Sequence, residues 1–288
     1  MIFIVNLLVS MYVMDIAFDL LSDLHLDTWP HAFDWTHRAT SPYCILAGDV
    51  AADRRTVLRT LKHLGECYQA VFYIDGNEEH SHYWGRLDQS YQLLEQRVKG
   101  IRDVVYLQDN VVIVNGVAIL ATNGWWGFDF DEHQDVDSTI NWYQGKWQHM
   151  VDRNPGYPAS VSDQDVIWMI RRAINDAAYL VKSVTRLQTH GEVKKIIIVT
   201  HSVPFAHLIS HDPDLVGDPR FSTMGNAYMS DVLAADVAKK IHTWCFGHYH
   251  LGVDRVINGI RYVNNCQGRA GTRWSNLVYN PLRICLDQ

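Results

Sequence analysis

Five short runs of β-branched and aromatic residues, spread along 288 residues, each stop at Asp, Asn or His. Ile16-Ala17-Phe18-Asp19-Leu20-Leu21 runs into Ser22-Asp23-Leu24-His25, and Tyr43-Cys44-Ile45-Leu46-Ala47 into Gly48-Asp49. Ala70-Val71-Phe72-Tyr73-Ile74 leads to Asp75-Gly76-Asn77, Ile196-Ile197-Ile198-Val199 to Thr200-His201, and His242-Thr243-Trp244-Cys245-Phe246 to Gly247-His248-Tyr249-His250. Apolar runs this short read as buried strands, and the small residues after them let the backbone turn tightly. Strand ends of one sheet gather on one edge, so polar groups far apart in sequence are expected to meet there. Carboxylate, amide oxygen and imidazole together suit divalent first-row metals, because hard oxygen and borderline nitrogen donors bind Mn, Fe, Zn or Co without thiolate. Asp49 lies alone between the two groups of ligands and is the candidate bridge. A shared carboxylate holds two ions about 3.5–4 Å apart, a spacing that clamps both oxygens of an in-line phosphoryl displacement.

The ordered series Asp23-x-His25, Gly48-Asp49, Gly76-Asn77, Thr200-His201 and Gly247-His248-x-His250 resembles the calcineurin-like metallophosphoesterase superfamily over nearly the whole chain. Any one piece is weak, while five in this order, each after a strand, are specific. The segment Asn264-Asn265-Cys266-Gln267-Gly268, after Ile260-Arg261-Tyr262-Val263, is similar to the one that follows the last histidine motif in many members. The resemblance implies an α/β fold, a four-layer α/β/β/α sandwich of two mixed sheets with ligands on loops along one edge. It implies Asp23, His25 and His250 on one ion, Asn77, His201 and His248 on the other, and Asp49 shared. Activity would be hydrolysis of a phosphate ester by metal-activated hydroxide, with Asp49, Asn77, Glu78 and His201 at the catalytic centre.

One position departs from that pattern. Many members have histidine directly after the motif asparagine, where it contacts phosphate or protonates the leaving oxygen; this chain has Glu78, then Glu79 and His80. A glutamate donates a proton only if burial or neighbouring anions raise its pKa, and nearby cations act the other way. A weakened general acid favours good leaving groups, hence small phosphodiesters over phosphomonoesters of a protein or nucleotide. A catalytically weak metal-binding scaffold is the alternative from another class. His80 is a candidate substitute for the missing histidine on the substrate side. Glu79 reads as a solvated acid at a helix start, where the dipole favours it.

Length is compatible with one catalytic domain over residues 14–288, since no cut leaves a complete ligand set. A net charge of −7 argues against sequence-independent nucleic-acid binding, which rests on Lys and Arg neutralising phosphates. The five cysteines lack the C-x-x-C spacing of zinc sites, and nothing in their placement suggests an oxidising compartment, so a cytoplasmic location is expected. Residues 1–13 are largely apolar and uncharged but too short for a spanning helix of about 20 residues, so no membrane anchor is expected. They form an extension upstream of a start at Met14, or residues 2–9 form an extra edge strand or a contact with another subunit. Residues 121–194 interrupt the motif series as a helical and aromatic cap. In it, Asn123 and Trp126 are candidate substrate residues, with core packing the competing role for Trp125, Trp126 and Phe128. Residues 165–181 have helical spacing. Arg269 is a candidate for a phosphate oxygen, with a surface salt bridge the competing role. The histidines outside the motifs, His31, His207 and His211 among them, read as ordinary polar residues, with His207 and His211 on the site rim. The expected ligands are two divalent ions and a small phosphorylated substrate such as a nucleotide.

Overall fold

The computed structural model describes residues 2–4 (backbone), 16–30, 33–153, 157, 159–273 and 275–286. His31, Met14 and residues 5–13 lie outside them. Its strands are β1 (Ile2–Ile4), β2 (Ile16–Leu21), β3 (Tyr43–Ala47), β4 (Ala70–Ile74), β5 (Val104–Tyr106) and β6 (Asn110–Val114), followed by β7 (Val117–Thr122), β8 (Lys195–Thr200), β9 (Ile241–Phe246), β10 (Val253–Ile257), β11 (Ile260–Asn264) and β12 (Leu282–Leu286). The helices are α1 (Arg54–Cys67), α2 (Leu87–Val98), α3 (Val136–Arg153), α4 (Asp163–Gln188) and α5 (Ser230–Ala234).

The strands form two mixed sheets, one in the order β1-β6-β7-β8-β9-β11-β10 and one in the order β12-β2-β3-β4-β5. Alternate residues of each central strand face opposite layers. In β8, Ile197 and Val199 join Phe18, Ile45 and Phe72 of the other sheet in the core between sheets. Ile196 and Ile198 turn the other way, onto Leu180, Val184 and Leu187 of α4. The outer face of the smaller sheet is covered by α1 and α2 through Val57, Leu61, Leu64, Leu94 and Val98. A strand buried on both faces has no polar side, which is why these segments are continuously apolar in sequence. The result is the α/β/β/α sandwich that the motif order implied.

Helix α4 extends the expected helix at both ends. It begins at a capping box, in which Ser162 Oγ accepts from Asp165 N and the Asp165 carboxylate accepts from Ser162 N at 2.9 Å. Helix α3 was not expected. It places Thr139, Tyr143 and Trp147 on one buried face, against Trp84, Trp126 and Phe128. The spacing Ile140, Tyr143, Trp147, Met150 is the signal that marks it. Strand β1 pairs parallel with β6 at one edge of the larger sheet. Among the described residues no helix is long and apolar enough to cross a membrane.

Candidate metal centre

The exits of β2, β3, β4, β8 and β9 converge. Beyond the strands the ladder continues through backbone bonds: Asp23 N to Gly48 O and His25 N to Asp49 O, each 3.0 Å, and Gly247 N to His201 O at 2.8 Å. These bonds require sharp reversals, and the turning residues carry the functional groups themselves. Asp23, His25, Asp49 and His248 all have positive φ, between 42° and 64°. Non-glycine residues held in the left-handed region cost about 1–3 kcal/mol each and persist where the surroundings over-determine them. Gly48 has φ +83°, and a Cβ there would lie 2.6 Å from His201 Nδ1 and 2.7 Å from Gly76 N.

Two groups of ligand-type atoms result, Asp23, His25, Asp49 and His250 in one and Asp49, His201 and His248 in the other, with the atoms of each group within 4.8 Å of one another. Asp49 belongs to both. Its Oδ2 lies 3.7 Å from His25 Nε2, and its Oδ1 lies 3.4 Å from His201 Nε2 while accepting from Glu78 N at 2.9 Å. Asn77 Oδ1 is 3.1 Å from His201 Nε2. Its amide nitrogen faces Glu78 Oε1, an orientation that keeps the oxygen toward the cluster. The structure therefore brings together all seven of the residues expected as ligands.

The donor atoms are also prepared to accept a cation. His201 Nδ1 lies 2.9 Å from the Ala47 carbonyl, a contact that requires the proton on Nδ1 and leaves the Nε2 lone pair toward Asn77 Oδ1 and Asp49 Oδ1. His248 Nε2 likewise donates to Thr223 O at 3.1 Å, which leaves Nδ1 unprotonated in the neutral ring. His25 Nε2 and His250 Nε2 sit 3.0 Å apart. Asp23 Oδ2 is buried without a hydrogen-bond partner. Acceptors facing acceptors in a dry site are unfavourable unless a proton or a metal lies between them. The residues thus fit a divalent metal.

The electrostatics without metal show the same tension. Burial pushes Asp23 up to about 7, with the neighbouring charges of His201 and Asp49 opposing one another. Burial also lowers His248 to about 3 and His250 to about 4, and holds His25 well below its usual range. His201 goes the other way: burial opposes its charge, but Asp49 and Asp23 outweigh that and raise it to about 10. Asp49 is pulled below the ordinary carboxylate range, since burial is overcome by the imidazoles around it, His201 foremost. One proton on His201 takes the place a cation would fill.

Several expectations about neighbouring residues are corrected. Glu79 is not solvated: 3% exposed, it accepts from Val50 N at 2.8 Å, Gly76 N at 2.9 Å, and Asp49 N and Tyr73 Oη at 3.2 Å, tying the Asp49 and Asn77 turns together. His80 does not replace the missing histidine. Its ring is fully buried between Asp75 (2.9 Å) and Ser90 (2.8 Å), stacked on Tyr91, and turned away from the cluster. Asn123 is not a substrate residue either; its side chain donates to the backbone and carboxylate of Asp75, and its carbonyl holds His201 N at 2.8 Å. Trp126 borders the cleft but is 1% exposed, and its ring face lies against His248 at 5.1 Å, so it supports that imidazole. Glu78 forms a 2.5 Å ion pair with Arg269 inside the cleft, the role that had competed with phosphate contact for that arginine. Burial raises the Glu78 carboxyl and Arg269 opposes the shift.

The cleft above the cluster has His25, Asp49, Asn77, His248 and His250 at its floor. Tyr143, Lys146 and Trp147 of α3 form one wall, and Asp212, Asp214, Arg220 and Thr223 of the loop after His201 form the other. His207 stacks on Phe205 and His211 bonds Arg255, so neither borders it. Lys146, Arg220 and the Thr223 carbonyl carried no signal in the sequence, because each is brought here by α3 or by an irregular loop.

No protein-family model and no curated protein sequence matches the chain. Among solved structures, the phosphopantetheinyl hydrolase PptH from Mycobacterium tuberculosis superposes with a TM-score of 0.63 at 18% identity, over 93% of this chain and 96% of that one. A Staphylococcus aureus protein named as a 5′-nucleotidase aligns over 94% of this chain and 53% of its own, with 13% identity and a TM-score of 0.47. GAP50, the anchor in the inner membrane complex of Plasmodium, aligns over 91% of this chain and 75% of its own, with 12% identity and a TM-score of 0.45. The two sheets, their layering and the PptH superposition give the chain the calcineurin-like metallophosphoesterase fold.

Proposed function

We propose that this protein is a dinuclear metal-dependent phosphoesterase. The observation that carries the reading is Asp49, which turns one carboxylate oxygen toward His25 and the other toward His201. Asp23, His25 and His250 would hold one ion and Asn77, His201 and His248 the second, with Mn, Fe or Zn suited to the donors. When bound, such ions supply Lewis-acid polarisation of the phosphoryl oxygens and a water of lowered pKa. The protein's own groups then orient the ester. Among the described residues Arg269 commits only Nη2, to Glu78, which leaves its other guanidinium donors for a phosphoryl oxygen.

Glu78, engaged by Arg269, is poorly placed to protonate a leaving oxygen, and that supports small phosphodiesters with good leaving groups. The second reading, a phosphomonoesterase, is favoured by the same guanidinium, since a dianion gains more from an added cation. Metal analysis followed by assays on bis-p-nitrophenyl phosphate, p-nitrophenyl phosphate and a phosphopantetheinyl ester separates these. Two ions per chain with faster diester turnover is the expected result; faster monoester turnover supports the second reading. Asp49→Asn is expected to lose metal and at least a hundredfold in kcat/KM. Two bound ions with no turnover of any ester leave a binding scaffold, and wild-type rates in Asp49→Asn rule out the bridge.

A further inference from the structure

Among the described residues, the charged side chains lining the cleft have an ion-pair or hydrogen-bond partner, with Lys146 the exception. Glu78 is held by Arg269, Asp214 by Arg273, and Arg220 by Asp218 at 2.8 Å, while Asp212 accepts from Tyr249 Oη at 3.0 Å. Lys146, on the α3 wall, forms no ion pair or hydrogen bond among the described residues; its ammonium lies 5.3 Å from the Trp142 ring centre. Surface lysines without partners are ordinary. This one borders the cleft in which the metal-ligand residues form the floor, with Tyr143 and Trp147 on the same helix. Its side chain is exposed to the solvent of the cleft. An anion delivered to this wall would therefore meet a cation that forms no ion pair among the described residues.

Resting on the phosphoesterase reading, we propose that Lys146 marks a second anion subsite, and that the substrates are phosphate esters carrying a further phosphate beyond the one that reacts. One phosphoryl group sits at the histidine cluster and Arg269, and the other reaches across the cleft to α3. Because α3 packs against the Pro219–Thr223 segment, whose Thr223 carbonyl holds His248, the subsite is fixed relative to the metal floor.

The test compares calorimetric binding of methylphosphonate, methylenediphosphonate and propane-1,3-bisphosphonate to the protein loaded with Mn, with Mn in excess and metal content measured afterwards. Wild-type protein is expected to bind the better bisphosphonate at least tenfold more tightly than methylphosphonate. Lys146→Gln should reduce that ratio to within about twofold, leaving methylphosphonate affinity and metal content unchanged, and Lys146→Arg should restore it. Equal affinities in the wild type, or an unchanged ratio in Lys146→Gln, overturn the proposal. A protein that takes up no metal at the histidine cluster overturns the underlying phosphoesterase reading instead.

Discussion

At the scale of single residues, the region around Asn77 shows what a short motif conceals. Asp75, Glu78, Glu79 and His80 lie within one six-residue segment and have four different tasks. Asp75 anchors Asn123 and His80, Glu78 faces the cleft, Glu79 braces two turns, and His80 is scaffold. Nothing in the local sequence separates an acid that points out from one that points in, because direction is set by the short helix Glu78–His80 and by what packs over it. Glu79 gives the most direct test. Removing its carboxylate strands three buried backbone N–H groups and the Tyr73 hydroxyl, at about 1–3 kcal/mol for each buried donor left unsatisfied. Glu79→Ala should lower unfolding free energy in urea by at least ~3 kcal/mol and weaken metal binding, while Glu79→Gln loses less. A loss under ~1 kcal/mol in the alanine variant would show that the brace is dispensable.

At the scale of elements, the five strands that carry the ligands were legible because period, length and terminal residue type agree in each. The ligand cluster was legible for the same reason, since strand ends place side chains without reference to the rest of the molecule. Helix α3 carries a helical spacing in Ile140, Tyr143, Trp147 and Met150, but its place beside the cleft and that of the Asp212–Thr223 wall were not legible, because both are set by packing rather than by local pattern. The turns at the strand ends should therefore be the least tolerant elements of the fold. In Gly48→Ala the new Cβ meets the Gly76 backbone and His201 at a φ that L residues rarely adopt. A loss of more than ~3 kcal/mol is expected from strain plus displacement of both neighbours. Gly145 in α3 is the control, with nothing within 4 Å of its Cβ position. Gly145→Ala should stabilise by about 0.5–1 kcal/mol through helix propensity. If urea denaturation finds the two substitutions equal in effect, the argument from the turns fails.

At the scale of the whole molecule, the cluster ties together strands from both sheets, so its charge state bears on global stability. In the metal-free protein Asp23 at about 7 and His201 at about 10 both lie above their ordinary values, burial acting first on each and the Asp49 charge reversing the outcome at His201. A folded state that binds protons more tightly than the unfolded chain is stabilised at low pH and loses that stability as pH rises. For Asp23 the loss runs from the unfolded value near 3.8 up to about 7; for His201 it runs from 6.5 to about 10. A metal must displace both protons, so its affinity follows the opposite slope and increases with pH. Saturating Mn at about 1,000 times its Kd should add about 4 kcal/mol, or on the order of 10 °C in melting temperature. Between pH 6.5 and 8.5 displacement of one further proton equivalent changes that stabilisation by about 1.4 kcal/mol per unit. The melting-temperature difference between Mn-loaded and EDTA-treated protein should therefore be larger at pH 8.5, and calorimetry at pH 7 in buffers of different ionisation enthalpy should register release of at least one proton. A difference that is flat with pH, with no proton released, would place the metal somewhere other than between His201, Asp49 and Asp23.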